Sequence, residues 1–502
     1  MRIHTIVLAF AAACAVARAQ YTSPSPAGPA PGEIDLILKS AGQEFSGWDL
    51  GVNERVRYED KSDAGTTHAG SNFDFDDRPP STTSNEYWLS RLMPWAGYST
   101  GWISVLVQGR SSYSWGDDRY TATAAGKNLP EDDGPFQLEK AYVALGDLKE
   151  FPLILTVGRQ ELAFGDQRLI GPSAWLNVPH AFDAAKLRYQ DAFFGADVFS
   201  SHLVYTDKDH LERSDPHDTL SGIDFDFPGL SGQSVNEAYL FARNVSRDIV
   251  TDDWSQVPAP FRFTAPQDIY TLGVRSKSKP KAYGPWDYGL EGMWQFGDRT
   301  AVFAATALAA AKVAPRLSQE AWAFVAQGGY TWTTVPMHPR LAAIVSAASG
   351  DRNSADRDSE TFQNLLPSNH GLYGIMDLSS LQNIEDYRLS LSVKPTTSTS
   401  LAVDVHQQYL ETTHDYWYNV AGVPRNTAGA TPGSGSGFNI NPAYSPDLGQ
   451  EADILGGWSV HKGFLLEAGL GHYFRGSYIK ESFHAIGSRD AEYGYLQLTV
   501  NL

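Results

Sequence analysis

Arginine and lysine side chains recur at every second position of several segments, and this spacing places them on one face of a β-strand. Acidic residues on the same faces are fewer, with Glu291, Asp404 and Glu467 the clear examples. A wall that carries fixed positive charge stabilises a desolvated anion, and several weak sites in series allow it to move onward. The pattern predicts an anion pathway; the alternative is that these cations only neutralise Asp and Glu across the wall. The cations are Arg55, Arg57, Arg110, Lys186, Arg188, Arg275, Arg340, Arg388, Lys394 and Arg475.

Catalytic and metal-binding motifs are missing from the sequence. It contains no H-E-x-x-H, G-x-S-x-G or G-x-x-x-x-G-K motif, and its thirteen His residues are scattered. Carboxylate pairs such as Asp224 and Asp226 lie among turn-forming residues. We therefore expect no catalytic residue, no enzymatic activity, no cofactor and no metal. One loop, from Asp351 to Glu360, has oxygen ligands at alternating positions that suit either Ca²⁺ or a solvated loop, but it lacks the Gly of an EF-hand.

Composition excludes further classes of protein. Among the 502 residues, 58 Asp and Glu against 39 Lys and Arg give a net charge of -19, which excludes a nucleic-acid-binding protein. A single Cys excludes a disulfide scaffold. Aromatic residues make up 12% of the chain, which is typical of strands with one apolar face and aromatic residues at their ends.

The first residues have the pattern of an export signal. An apolar run from Ile6 to Val16 precedes Ala17-Arg18-Ala19, a small-x-small cleavage site, so residues 1–19 are predicted to be removed. A lipid anchor on Cys14 is the less favoured alternative. Residues 20–44 form a Pro/Gly/Ser-rich periplasmic segment with a short helix over Glu33 to Ala41. No later segment is long enough for a membrane helix, which excludes a helical membrane protein. Together with the strand pattern described next, the export signal predicts a location in the bacterial outer membrane.

Period-two alternation dominates residues 45–502. In the last strand Leu496 and Leu498 share one face, whereas Gln497 and Thr499 share the other. About seventeen such segments are recognisable, joined alternately by short turns and long polar loops. This predicts an all-β fold, a transmembrane antiparallel up-and-down β-barrel with long extracellular loops and short periplasmic turns. Placing both termini in the periplasm requires an even number of strands, which we expect to be eighteen. The one strand that the alternation does not reveal then lies between residues 206 and 320. A soluble sandwich or solenoid is disfavoured because no short repeat occurs.

Two stretches carry a family resemblance. Gly158 to Tyr189 (GRQELAFGDQRLIGPSAWLNVPHAFDAAKLRY) and Ser349 to Leu378 (SGDRNSADRDSETFQNLLPSNHGLYGIMDL) resemble the alginate export family of outer-membrane proteins. The resemblance implies an eighteen-stranded barrel whose electropositive lumen passes an anionic uronate polysaccharide. It also implies that matching positions line or shape the pore, namely Arg159, Gln160, Asp166, Arg168, Asn177, Asp183 and Arg188.

Two departures accompany this resemblance, at His180 and Leu502, and the face on which Arg159 lies is ambiguous. His180 stands where an Arg is expected, which weakens the positive charge. The alternation through Leu155 and Val157 places Arg159 on the lipid face unless a bulge at Gly158 turns it inward. The last residue is Leu502 rather than the aromatic residue common in barrels, so we expect recognition of the insertion signal to differ.

The sequence thus favours an outer-membrane channel for an alginate-like polyuronate or its oligomers. A general anion or small-solute porin of the same architecture is the alternative, and a barrel enzyme acting on surface lipid or glycan is the third. The expected partners are the acidic polysaccharide or another anionic solute, outer-membrane lipid, and the barrel-insertion machinery acting on the C-terminal strand.

Overall fold

The computed structural model describes residues 33–62, 75, 77, 84–117, 136–148, 150–205, 211–246, 266–300, 315–425 and 433–502. The predicted export signal, its cleavage site and the linker before Glu33 lie outside these residues. The predicted helix is confirmed as α1, Glu33–Ala41, and a second helix, α2, covers Ser477–Ser482. In the part of the chain that is described, no helix has the length and apolar character needed to cross a bilayer.

Strands make up most of the described chain. In order they are β1 (Trp48–Ser62), β2 (Asn85–Thr100), β3 (Ile103–Trp115), β4 (Gln137–Leu145), β5 (Leu153–Gln160), β6 (Phe182–Gln190), β7 (Gly195–Tyr205), β8 (Arg213–Asp226), β9 (Ser234–Val245), β10 (Gln267–Ser278), β11 (Trp286–Thr300), β12 (Arg316–Thr331), β13 (Arg340–Ala348), β14 (Asp358–Ser359), β15 (Ile384–Val393), β16 (Thr399–Tyr409), β17 (Asp447–His461), β18 (Phe464–Arg475) and β19 (Ala491–Asn501).

The sheet closes on itself. Each long strand pairs antiparallel with its neighbours in sequence, β13 pairs with β15, and β19 pairs with β1 through partners such as Val56 and Leu498. The two-residue β14 instead lies parallel to β12. Without β14, the described residues form an eighteen-stranded antiparallel barrel, which confirms the predicted architecture and strand number.

Side-chain exposure alternates as the sequence predicts. On β15 and β16, Leu389 and Val405 are 53% and 42% exposed, whereas Arg388 and Asp404 are 5% and 1% exposed. Because successive strand residues point to opposite faces, the apolar set forms the outer surface and the polar set faces the interior. An aromatic girdle borders the apolar surface, for example where the Tyr58 and Trp88 rings lie 5.0 Å apart.

The connections differ at the two ends of the barrel. One rim has short turns, including residues 101–102 and 462–463, and the other has long connections, including 349–383 and 410–446. The segment α1 and the final residue Leu502 both lie at the short-turn rim, since Leu502 exchanges backbone hydrogen bonds with Val52. Short turns on one side and long loops on the other are the pattern of outer-membrane barrels.

We predict that a charge on the outer face will damage the barrel most at mid-strand. Leu389→Arg should destabilise the folded protein by about 2–4 kcal/mol, since Leu389 lies at the middle of β15 on the lipid side. The volume-changing control Leu389→Phe should fold normally. Unfolding in lipid vesicles, followed by tryptophan fluorescence, measures the difference. Equal stabilities for the two variants would place this face away from hydrocarbon.

Candidate functional site

Two of the long connections fold into the barrel. We call residues 161–181 the first inward loop and residues 349–383 the second inward loop. They hydrogen-bond to each other through their backbones: Leu366 donates to the Leu169 carbonyl and Gly171 donates to the Leu366 carbonyl, both at 2.9 Å. Buried apolar side chains, including Leu169, surround this contact. The two loops therefore form one hydrogen-bonded unit inside the lumen.

The first inward loop is bound by charge to the wall at β10 and β11. The Asp166 carboxylate lies 2.6 Å from Arg275 and 2.7 Å from Lys277, and Arg168 lies 3.7 Å from Glu291. Burial alone would raise the pKa of Asp166, but the fields of Arg275, Lys277 and Arg168 outweigh it and lower the pKa to about 2. Asp166 is thus ionised at any physiological pH and anchors the loop.

The other end of the first inward loop meets an arginine pair on β1 and β2. Arg55 and Arg91 are direct cross-strand partners, so two like charges lie opposite each other on the inner face. Arg55 donates to the carbonyls of Ala174 and Leu176 at 2.8 and 2.9 Å, and Arg91 donates to the same two carbonyls at 2.9 Å. Neither forms an ion pair with any described carboxylate, and the Nε of each has no hydrogen-bond partner.

A third arginine extends this pair. Arg57 has its guanidinium 3.7 Å from the centre of the Trp175 ring and donates to the Trp175 carbonyl at 2.8 Å and to Glu59 at 2.7 Å. The opposite contact of Trp175 is His370 of the second inward loop, whose ring is parallel within 3° at 3.6 Å and bonds to Asp377. We call Arg55, Arg57 and Arg91 the arginine cluster.

The second inward loop is bound to the wall at β15 to β17. Arg388 donates to the Gly371 carbonyl at 2.9 Å, and the Met376 amide donates to Glu451 at 2.8 Å. Gly374 has a φ of +100°, and a Cβ there would lie 2.3 Å from the Glu451 carboxylate. Only glycine fits both that backbone and that close approach. The wall therefore holds both inward loops, and the loops provide the backbone and side-chain groups that bind to it.

Most of the other predicted lumen cations are paired with carboxylates, which is the arrangement expected if they neutralise acids. Lys394 is exposed in a short turn. The observed pairs are Arg110 with Glu139 and Glu212, Lys186 and Arg188 with Asp197, Arg188 with Asp226, Arg275 with Asp166 and Glu237, Arg340 with Asp287, Arg388 with Asp404, and Arg475 with Asp490.

Arg159 lies on the outer face, and this corrects the expectation that it lines the lumen. The ladder from Leu155 to Arg159 pairs residue for residue with β4 and β6, so no bulge at Gly158 reverses the alternation, although Gly158 has a positive φ. Arg159 pairs instead with Asp183 at 2.8 Å. The irregularity lies in β4, where the register shift leaves Glu139 inside beside Arg110.

Other residues of the family motif have structural contacts. Gln160 is buried and donates to the Ala184 carbonyl, and the Asn177 amide donates to the carbonyls of Ser90 and Tyr113 at 3.0 and 3.1 Å. Burial lowers the pKa of His180 below its ordinary value, so the imidazole is neutral at pH 7. His180 therefore adds no positive charge where the family resemblance led us to expect an Arg.

Arg91 and Trp175 are the main site residues that the sequence analysis missed. The inner face of β2 also carries Tyr87, Leu89 and Met93, so both faces of this strand are rich in apolar residues. Alternation alone therefore does not identify which face is inward. Trp175 lies in a loop, where no periodicity exists to place it.

The acidic segment from Asp351 to Glu360 is organised by its own backbone. Asp351 accepts from the Asn353 amide at 2.9 Å, and Asp356 accepts from the Asp358 amide at 2.9 Å. Across the described ranges, no group of three or more His, Cys, Asp or Glu residues is placed to hold a metal ion.

Comparisons with known proteins agree with this architecture. The family model for alginate export matches residues 51–490. A search of curated proteins finds no match. Among solved structures, OccK11 (OpdR) of Pseudomonas aeruginosa is 13% identical with a TM-score of 0.51, covering 91% of this chain and 96% of its own.

Two further solved structures have the same overall fold. OccK2 (OpdF) of P. aeruginosa, solved in complex with glucuronate, is 11% identical with a TM-score of 0.52, and a BenF-like porin from Pseudomonas fluorescens Pf-5 is 10% identical with a TM-score of 0.53. Each match covers 91% of this chain and 98% of the other. At these identities, the similarity shows an outer-membrane porin fold.

We predict that Asp166→Asn will loosen the first inward loop, because Arg275 and Lys277 lose a shared anion. A carboxyl with a lowered pKa contributes stability above its unfolded value of about 3.9, and this contribution disappears as pH falls through about 2. Single-channel recordings should therefore show extra current fluctuations in the variant at pH 7, and in the wild type only when the pH falls below about 4.

Asp183→Asn is the matched control, since it removes a carboxylate from an ion pair on the outer face. It should leave the current fluctuations at pH 7 unchanged. If the Asp166→Asn channel shows no extra current fluctuations at pH 7, the ion pair of Asp166 with Arg275 and Lys277 does not hold the loop.

Proposed function

The chain belongs to the alginate export family, and we propose that it forms an outer-membrane channel for an anionic, alginate-like polyuronate or its oligomers. The observation that carries this proposal is the arginine cluster, where Arg55 and Arg91 face the lumen and donate only to neutral oxygens, namely backbone carbonyls and, from Arg55, the Asn177 side-chain amide. Neutral acceptors satisfy their N–H groups without cancelling their charge. The remaining positive charge is available to a carboxylate.

A uronate chain presents one carboxylate per sugar, and a guanidinium binds a carboxylate through two parallel hydrogen bonds. We propose that such carboxylates exchange with the Ala174 and Leu176 carbonyls as the first inward loop moves. The paired cations, such as Arg188 and Arg340, would serve as weaker sites along the route. Several sites of moderate affinity allow passage, whereas one tight site would trap the substrate.

The second candidate is a channel for small acidic solutes. Two observations support it: OccK2, which shares the fold, was solved with the monomeric uronate glucuronate, and the two inward loops here are hydrogen-bonded across the lumen. Neither candidate includes a catalytic step. Both require export and outer-membrane insertion, for which we propose an export signal over 1–19, a periplasmic segment over 20–44 and a barrel over 45–502.

We predict an anion-selective pore whose selectivity depends on the arginine cluster. In a salt gradient, the reversal potential of the wild type should favour chloride over potassium, and Arg55→Gln with Arg91→Gln should shift it toward potassium. High salt should weaken the selectivity, because the Debye length falls from about 10 Å at 0.1 M to about 3 Å at 1 M. A wild-type pore that prefers potassium at low salt would contradict the proposal.

Arg159→Gln is the control for this experiment. It also removes one arginine, but from the outer face, so the reversal potential should stay at its wild-type value. A shift as large as that of the double variant would show that the lumen arginines have no special role.

Uronate ligands of increasing length should separate the two candidates. If the pore passes a polymer, oligouronates should block the chloride current at concentrations at least about tenfold lower than glucuronate, since several carboxylates bind at once. Equal blocking concentrations for monomer and oligomer would favour the small-solute channel. Arg55→Gln with Arg91→Gln should reduce the block in either case.

A further inference from the structure

A continuous row of polar side chains crosses the outer face of eight strands. Each member is the direct cross-strand partner of the next, so all of them point outward in the same row. The row lies toward the long-loop end of β5 to β12. Its members are Arg159, Asp183, His202, Thr219, Asn244, Asp268, Asp298 and Ser318.

A second row, four residues nearer the short-turn rim on each strand, is entirely apolar. Its members are again direct partners and include Leu240, Leu272 and Trp294, which are 38%, 48% and 46% exposed. An apolar row beneath a polar row marks the transition from acyl chains to headgroups on a membrane protein. The polar row thus lies at headgroup level.

A recess of about 490 Å³ opens within the polar row, at β8 to β12. Its lining includes Thr219, Asn244, Asp268 and Arg316. Asn244 donates to Asp268 at 2.8 Å, and Arg316 bonds to Asp268 and also pairs with Asp298.

The charge in the recess selects among headgroups. Asp268 and Arg316 line the recess, and Asp298, which lies beside the lining, pairs with the same Arg316 guanidinium. Two carboxylates thus surround one guanidinium, so the local charge is negative and a phosphate would be repelled. Sugar hydroxyls both donate and accept, and they fit a set of carboxylate, amide, guanidinium and hydroxyl groups. The lining is therefore suited to an uncharged sugar.

We propose that this recess binds the sugar headgroup of an outer-leaflet glycolipid, whose acyl chains lie along the apolar row containing Leu272 and Trp294. The site faces lipid and is separate from the lumen. The proposal for this lipid site would therefore still hold if the channel proved to have no selectivity for uronates. Its ligand would be a structural lipid of the barrel rather than a transported solute.

The test uses full-length protein refolded in detergent and native mass spectrometry, with digalactosyl diacylglycerol as the glycolipid probe. The wild type should bind one molecule at saturation, and Asp268→Leu should bind at least tenfold more weakly, because Asp268 connects Asn244 to Arg316. Asp60→Leu is the matched control, since it removes an outward-facing acid from the long-loop end of β1, and it should bind as the wild type does. A heat-modifiable band on gels confirms that each variant is folded.

Three results would overturn the proposal. Asp268→Leu could bind the glycolipid as tightly as the wild type, or phosphatidylglycerol could bind as tightly as the glycolipid, which would indicate nonspecific annular lipid. Free digalactose could also bind as tightly as the lipid, which would make the ligand a soluble sugar. As a second variant, Trp294→Ser should weaken glycolipid binding and leave the binding of free digalactose unchanged.

Discussion

Closure of the hydrogen-bonded ring is the constraint on which the rest of this structure depends. Hydrocarbon offers no partner to a backbone N–H or carbonyl, so a sheet can cross the bilayer only if no strand edge stays open. The pairing of β19 with β1 meets this condition. Once the ring is closed, the strict alternation of side chains decides which residues meet lipid and which face the interior.

The polar side chains of every strand point into the interior of the barrel. Each buried charge there needs a partner. Over most of the wall, arginine and carboxylate occupy neighbouring strands, as Arg340 and Asp287 do at 2.8 Å. At Arg55 and Arg91 the described wall has arginine without an ion-paired acid, and the first inward loop provides carbonyl oxygens instead. The N–H groups of Arg55 and Arg91 thus help to hold that loop against the wall.

The sequence predicts the barrel well because the alternation within each strand, and the strand number from which closure follows, can be recognised from local periodicity. Leu389 and Arg388 are correctly assigned to opposite faces by their neighbours alone. The inward loops are different, since Arg55 and Ala174 are 119 residues apart and no local pattern relates them. The family motif predicts that Arg159 lines the lumen, whereas the regular pairing of β4 with β5 keeps Arg159 on the outer face. The sequence does not identify Arg91 as a lumen residue, because both faces of β2 carry apolar residues.

The distinction between carbonyl and carboxylate partners bears on where an anion would bind. An arginine paired with Asp or Glu presents little net charge, and an incoming anion must displace a charged competitor. An arginine held by carbonyls keeps its charge, and its competitor is a neutral dipole on a loop that can move. Anion binding should therefore concentrate at Arg55 and Arg91, whereas Arg57 is paired with Glu59 and contributes less. The first inward loop would then act as both the cover of this site and the group that a substrate displaces.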